Sequence, residues 1–156
     1  MKKNNLVIVM VLAALLLAFA QAGAEEAYTD ERQKAMDALL AERPGAVVDY
    51  LLRERDDGRY EWELFFTQGD QLGVCEVAED TYQVCRVALH DRPEGALTAS
   101  EAIELLRQKK GEITVTSLDL DRDDGRLRYE GEAELDGKRY EFEMSVSGEI
   151  VEWERD

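Results

Sequence analysis

A run of aspartates in the second half of the chain has the spacing of a calcium-binding loop. Asp119, Asp121 and Asp123 alternate with other residues, and Glu130 stands at the twelfth position counted from Asp119. Such loops take ligands from alternate positions and need glycine at the sixth position, where the chain turns sharply. Here the glycine, Gly125, comes one position late, and the flanking residues have a strand pattern. We therefore expect an acidic hairpin, with calcium binding by these three aspartates as the alternative.

No arrangement of residues in the sequence indicates catalysis. His90 is the single histidine, and it falls in a segment with proline and glycine that predicts a linker. No motif places a nucleophile beside this histidine. Ser100 is explained by its place at the start of a predicted helix. We therefore predict that the protein is not an enzyme and has no cofactor.

The N-terminus has the three parts of a secretory signal peptide. Two lysines precede an uncharged apolar run, Leu6–Ala20, and the small residues Ala22 and Ala24 fit a cleavage site. The sequence therefore predicts a signal peptide at residues 1–24, a mature chain that begins at Glu25, and a periplasmic or extracellular location. An uncleaved membrane anchor is the alternative. The apolar run is short for this role, because a membrane-spanning helix needs about 20 residues.

The charge of the chain excludes some classes of partner. The sequence has 35 acidic and 19 basic residues, a formal net charge of −16. Nucleic acid binding needs a basic face, and the anionic surface of a membrane repels an acidic chain. We therefore expect no nucleic acid partner and, after signal cleavage, no membrane association. A cationic partner suits this composition, and solubility alone is the alternative explanation of the charge.

Cys75 and Cys85 are the two cysteines of the chain. Their spacing is not that of a Cys-x-x-Cys motif, and no further cysteine completes a zinc site. A hairpin whose turn is centred on Asp80 would place them directly opposite each other, at a Cβ separation that suits a disulfide. Because an exported protein meets an oxidising environment, the sequence predicts a Cys75–Cys85 disulfide.

The pentapeptide RDDGR occurs at residues 55–59 and again at 122–126, 67 positions apart. Upstream of each copy, apolar residues recur at spacings of three and four, which predicts an amphipathic helix. Around and after each copy the apolar residues alternate with polar ones, which predicts strands. Glycine and aspartate favour tight turns, so each RDDGR is expected at the tip of a hairpin.

These patterns predict an α+β fold of two tandem units, each with one helix followed by a three- or four-stranded antiparallel sheet. We refer to residues 25–92 as the first repeat and to residues 93–156 as the second repeat. Thr98 and Glu101 have the spacing of a capping box at the start of the second helix. Alternating aromatic residues of the predicted strands are expected to face the helices and form the core, with a recognition face as the alternative. They are Tyr60, Trp62 and Phe66 in the first repeat and Tyr129, Tyr140 and Phe142 in the second.

The second repeat resembles the PepSY domain, a module of the propeptides of thermolysin-type metalloproteases and of small secreted bacterial proteins. The resemblance rests on the strand segments RLRYEGEAEL, DGKRYEFEMSV and SGEIVEWERD. The family's final turn has an aspartate and a threonine that this chain lacks, so no family contact residue is carried over. The first repeat resembles the family through the internal repeat only.

The resemblance implies protease inhibition or assistance to folding as an activity. We therefore expect an exported, non-catalytic binding module with a protein partner, for which an extracytoplasmic peptidase is the first candidate. A structural or stress-related envelope protein without inhibitory role, and a weak calcium-dependent binder, are the alternatives. Trp153, on the last predicted strand, is the aromatic residue that the sequence offers for contact with a partner.

Overall fold

A computed structural model describes residues 29–56 and 58–156 of the chain. The predicted signal peptide, its cleavage site and the predicted mature N-terminus at Glu25 lie outside the described residues. Within the described ranges, no helix is both long enough and apolar enough to cross a membrane.

Residues 29–42 form the first helix, α1. The chain divides after Lys34 into two compact parts, and in the first of them Lys34 Nζ lies 2.6 Å from Asp30 Oδ2, one helical turn earlier. In the second part, Ala35 and Leu39 are four positions apart on one face of α1, and both are fully buried. The amphipathic pattern predicted for this helix therefore corresponds to a buried stripe.

The first sheet, sheet A, has four antiparallel strands in chain order. The strands are β1 (Val47–Asp56), β2 (Arg59–Gln68), β3 (Gln71–Ala78) and β4 (Val84–Asp91). The first RDDGR lies at the turn between β1 and β2, where Gly58 has a φ of 82°, a conformation that favours glycine. In β2 the consecutive residues Leu64, Phe65 and Phe66 are all buried, so both faces of this sheet are covered.

The second helix, α2 (Ala99–Lys110), begins after its N-cap, Thr98. The Thr98 hydroxyl accepts a hydrogen bond from the backbone N–H of Glu101, and the Glu101 carboxylate accepts one from the backbone N–H of Thr98. The predicted capping box is therefore confirmed. Sheet B follows, again with four antiparallel strands in chain order: β5 (Thr114–Asp123), β6 (Arg126–Leu135), β7 (Lys138–Ser145) and β8 (Ile150–Arg155).

The predicted α+β arrangement of two helices, each followed by an antiparallel sheet, is confirmed. Both sheets also have a bulge at the same place in their first strand, between Val48 and Tyr50 in β1 and between Val115 and Ser117 in β5. The second RDDGR joins β5 to β6, as predicted. The two repeats therefore share their strand order, their first hairpin turn and their first irregularity.

Two hydrophobic clusters hold residues 35–156 together. One lies between α1 and the adjacent face of sheet A, with Trp62, Leu64 and Phe66 at its centre. The other joins α2, the inner face of sheet B and the second face of sheet A. In this second cluster the rings of Phe65 and Tyr129 meet edge to face, with centroids 6.5 Å apart. The second repeat therefore covers a sheet face that belongs to the first repeat.

The predicted disulfide is not formed. Cys75 and Cys85 are both free, and Cys75 lies opposite Val87. The predicted register was wrong for two reasons. Val77 pairs with Val84, so the turn is centred between Asp80 and Thr81, and a bulge in β4 then shifts the partner of Glu76 to Arg86. Cys85 falls in that irregular stretch and is exposed. The β3–β4 hairpin is therefore held by its ladder and by the packing of its inner face.

One expectation about an individual residue is corrected by the fold, and another is confirmed. His90 lies in β4, opposite Leu72, and not in the linker; the linker follows, between the end of β4 and Thr98. Ser100 is in the first turn of α2, and its backbone N–H donates to Asp49 Oδ2 at 2.9 Å. This bond fixes the start of α2 against the first sheet.

Candidate protein-binding surface

Sheet B has one apolar face and one charged face. Its strands alternate buried and exposed residues, so every second side chain points away from α2. We call this second side the outer face. It carries Ser117, Asp119, Asp121, Arg128, Glu130, Glu132, Glu134, Arg139, Glu141, Glu143, Glu152 and Glu154. None of these side chains is buried. The outer face is therefore open except where Glu54 and Arg55 of sheet A line a depression of about 520 Å³ together with Ser117, Glu132, Glu134 and Arg139.

Four carboxylates lie directly opposite one another across the four strands of sheet B. Asp119 pairs with Glu130, Glu130 with Glu143, and Glu143 with Glu152. We call these four residues the acidic row. Adjacent strands are about 4.8 Å apart, so the row extends over about 14 Å. Like charges directly opposite each other destabilise a sheet, so the row is not explained by the needs of the fold.

Arginines compensate part of this charge. Arg128 forms an ion pair with Glu143 and lies 3.6 Å from Asp123, and Arg139 lies 3.7 Å from Glu132. In the described part of the chain, the other three members of the acidic row form no ion pair. Glu130, Glu143 and Glu152 also line a depression of about 270 Å³ on the outer face, together with neighbouring glutamates.

The acidic surface continues from sheet B onto sheet A at Asp119. A second depression, also of about 270 Å³, opens where β5 meets sheet A. We call it the junction pocket. Its lining consists of Glu54, Glu61, Glu63, Glu76, Arg86, Ser117, Leu118 and Asp119. Glu63 and Glu76 are cross-strand partners, and Arg86 donates to Glu76 at 2.7 Å.

Glu63 is the most perturbed titratable group of this surface. Burial raises the pKa of its carboxyl from 4.5 to about 9, and the negative charge of the nearby Glu54 adds to the effect. Its Oε2 atom is buried and accepts no hydrogen bond from any described residue. Burial, and then the charge of Glu143, also raises the pKa of Glu130. The free surface therefore resists full ionisation of its own carboxyls.

The three aspartates predicted as a weak calcium site lie along one extended strand. Asp119 and Asp121 point to the same face, and each accepts a hydrogen bond from the backbone N–H of the next residue. Alternate residues of a strand are about 6.6 Å apart, which separates the carboxylates instead of bringing them round one ion. Among the described residues, no group of three or more acidic, cysteine or histidine side chains is placed to hold a metal ion.

Trp153, the aromatic residue suggested for partner contact, lies on the inner side of sheet B. Its ring stacks on Tyr140 with centroids 4.8 Å apart, and Lys110 Nζ lies 5.0 Å from the ring centre. The residue is half-buried. Because Trp153 and the acidic row lie on opposite sides of β8, one contact surface cannot include both.

The acidic row was missed by sequence reasoning, although a signal for it is present. Glu63 and Glu76 of the first repeat have glutamates at the equivalent positions of the second, Glu130 and Glu143. In each sheet the two glutamates are cross-strand partners. A comparison of the repeats by strand position, and not by turn motif alone, would have found this shared acidic pair.

Comparison with known proteins finds a family that is similar to part of the chain. Residues 96–154 match the family described as the peptidase propeptide and YPEB domain, PepSY. No curated protein sequence matches the chain.

Three solved structures match the chain over most of its length. A candidate lipoprotein from Clostridium difficile 630 is 16% identical over 83% of this chain and 92% of its own, with a TM-score of 0.44. A BLIP-like protein from Bacteroides fragilis NCTC 9343 is 11% identical over 79% of this chain and 84% of its own, with a TM-score of 0.32. The Bacillus megaterium YpeB C-terminal domain is 14% identical over 81% of this chain and 64% of its own, with a TM-score of 0.33. At these identities the similarity concerns the fold only.

Proposed function

We propose that the chain, which is similar to the PepSY family over residues 96–154, is an exported, non-catalytic module that binds another protein through the outer face of sheet B. The observation that carries the proposal is the outer face itself. It is a regular four-stranded surface on which no described side chain is buried, and it holds charges that the fold does not need.

A capture experiment with matched variants tests this function. The mature chain is immobilised and exposed to an extracytoplasmic fraction, beside a variant with Glu132→Arg and Glu141→Arg on the outer face. The control variant carries Glu94→Arg and Glu149→Arg, the same charge change at exposed positions in the linker and in the β7–β8 turn. We expect a protein that the wild type and the control retain and the outer-face variant loses.

The nature of the captured protein then separates the possible roles. A peptidase whose activity falls when the chain is added indicates inhibition. A partner that refolds in higher yield with the chain indicates assistance to folding. Retention of the same proteins by all three chains, or of none, would contradict binding through the outer face and favour a structural role in the envelope.

A further inference from the structure

We propose that the partner of sheet B presents a basic segment, which lies across the strands along the acidic row and places one lysine or arginine side chain in the junction pocket. The inference rests on the proposed function and adds the chemistry of the partner. It combines three features of the structure: a sheet face without a covering layer, a row of opposed carboxylates, and a buried oxygen without a hydrogen-bond donor.

The geometry of the acidic row suits a series of basic side chains. Its carboxylates repeat at the strand spacing of about 4.8 Å. On a helix, residues three and four positions apart have Cβ atoms about 5–6 Å apart. A basic helix that crosses the strands therefore presents cations at nearly the interval of the row. Lysine and arginine side chains are long and flexible, and so absorb the remaining difference.

The charge of the row is incompletely compensated in the free chain. Asp119 and Glu130 face each other directly, and in the described part of the chain neither has an ion pair. Cations from a partner remove this repulsion, whereas an uncharged partner would cover the carboxylates and add a desolvation cost. Complementary charge also accelerates encounter between two proteins.

The junction pocket lacks a donor at one atom. Glu63 Oε2 is buried, and no described residue donates a hydrogen bond to it. Arg86, the basic residue of the pocket lining, donates to Glu76. Ammonium and guanidinium groups carry several N–H donors and no acceptor. When such a group enters the pocket, the Glu63 carboxyl releases its proton to solvent, and its Oε2 atom accepts from the cation. The pocket has a volume of about 270 Å³. One water molecule occupies about 30 Å³ in the liquid, so the pocket has room for the end of a side chain.

Solubility is the alternative explanation for the acidic face. The two explanations differ in whether the location of the charges on the molecule matters. Charges that serve solubility act through the net charge of the whole molecule, so their location is unimportant. Charges that bind a basic segment must lie where the segment lies. Removal of the same number of charges at two different places therefore separates the two explanations.

The test uses the full mature chain and a decalysine peptide as the probe. Binding is measured by calorimetry for the wild type, for a row variant with Glu130→Gln and Glu152→Gln, and for a control with Glu94→Gln and Glu149→Gln. The row substitutions remove repulsion between carboxylates, so the variant is expected to stay folded, and a melting curve checks this. We expect saturable binding that weakens about tenfold in the row variant, by the loss of two charge pairs. Binding should also weaken with added salt.

Three results would overturn the inference. One is an equal loss of affinity in the row and control variants, which indicates net charge alone. Another is saturable calcium binding that the row variant loses, with no binding of decalysine, which indicates a metal site. The last concerns the partner captured through the outer face. If the affinity of this partner depends neither on salt nor on the row glutamates, the chain still binds a protein through the outer face, but the partner does not bind by a basic segment. A Glu63→Gln variant that binds decalysine as the wild type does would remove the junction pocket from the site.

Discussion

Residues 67 positions apart occupy equivalent places in sheets A and B, and on one face of the two sheets their chemistry is opposite. Phe65 pairs with Val74 in sheet A, and Glu132 pairs with Glu141 at the same place in sheet B. Phe65 and Val74 are buried, whereas Glu132 is half-buried and Glu141 exposed. The same contrast holds for Leu52 and Asp119 in the first strand of each sheet.

The difference follows from what lies above each face. The second face of sheet A packs into the cluster formed by α2 and sheet B, so apolar side chains there remove surface from water. No described element covers the outer face of sheet B as a layer, so polar residues are favoured at the same positions. Two sheets with one topology therefore differ in sequence because the second face of sheet A packs against α2 and sheet B.

The largest expected effect is a loss of stability at the buried member of an equivalent pair. Phe65→Ala removes a ring that is 2% exposed and leaves a cavity between the repeats. We expect the free energy of unfolding to fall by about 3–5 kcal/mol. Glu132→Ala, at the equivalent place in sheet B, should change it by no more than about 0.5 kcal/mol. Urea unfolding of the full chain measures both, and similar losses would show that the outer face of sheet B is covered as well.

A smaller effect is expected at a position that is glutamate in both sheets. The pKa of Glu63 is raised from 4.5 to about 9 in the folded chain, so folding favours the protonated carboxyl. The stability linked to this proton is fully present below pH 4.5 and is lost as the pH rises towards 9. Glu63→Gln should therefore raise the melting temperature at about pH 8 by a few degrees, and have little effect at about pH 4.

Glu130→Gln is the matched control for this pH dependence. The pKa of Glu130 is raised in the same direction, by burial and by Glu143, but this carboxyl is far less enclosed than that of Glu63. Its substitution should stabilise the chain in the same pH range and by less. A Glu63→Gln variant that is less stable than the wild type at about pH 8 would contradict the assignment of a protonated Glu63.

The prediction with the smallest effect on stability concerns the chemical reactivity of the two thiols of sheet A. Burial raises the pKa of Cys75 to about 12, whereas Cys85 is exposed. A thiol reagent should therefore modify Cys85 in the native chain and Cys75 only after denaturation. Cys85→Ser should abolish the native reaction, and Cys75→Ser should preserve it. Absence of reactive thiols in the denatured, unreduced chain would mean that the two cysteines are joined after all.

Much of the fold could be predicted because its signals are local. The capping box at Thr98 and the RDDGR turn at residues 122–126 each depend on neighbouring residues. The Cys75–Cys85 register could not be predicted, because the bulge in β4 shifts the ladder and has no clear sequence mark. The candidate surface was missed for a related reason. The acidic row depends on the registers of three successive strand pairs, and an error of one residue in any of them moves a side chain to the other face.

The packing of α2 between the two sheets has a consequence for the addition of a further repeat to the first two. Each helix and sheet form one layer, and the layer of the second repeat closes the exposed face of the first. A third layer would have to settle on the outer face of sheet B, where Glu132, Glu141 and Glu154 replace the apolar residues that accept a helix in sheet A. Terminal units of stacked proteins need a polar outer side of this kind to remain single. A third layer of the same kind would therefore bury carboxylates, whereas a molecule of opposite charge would compensate them.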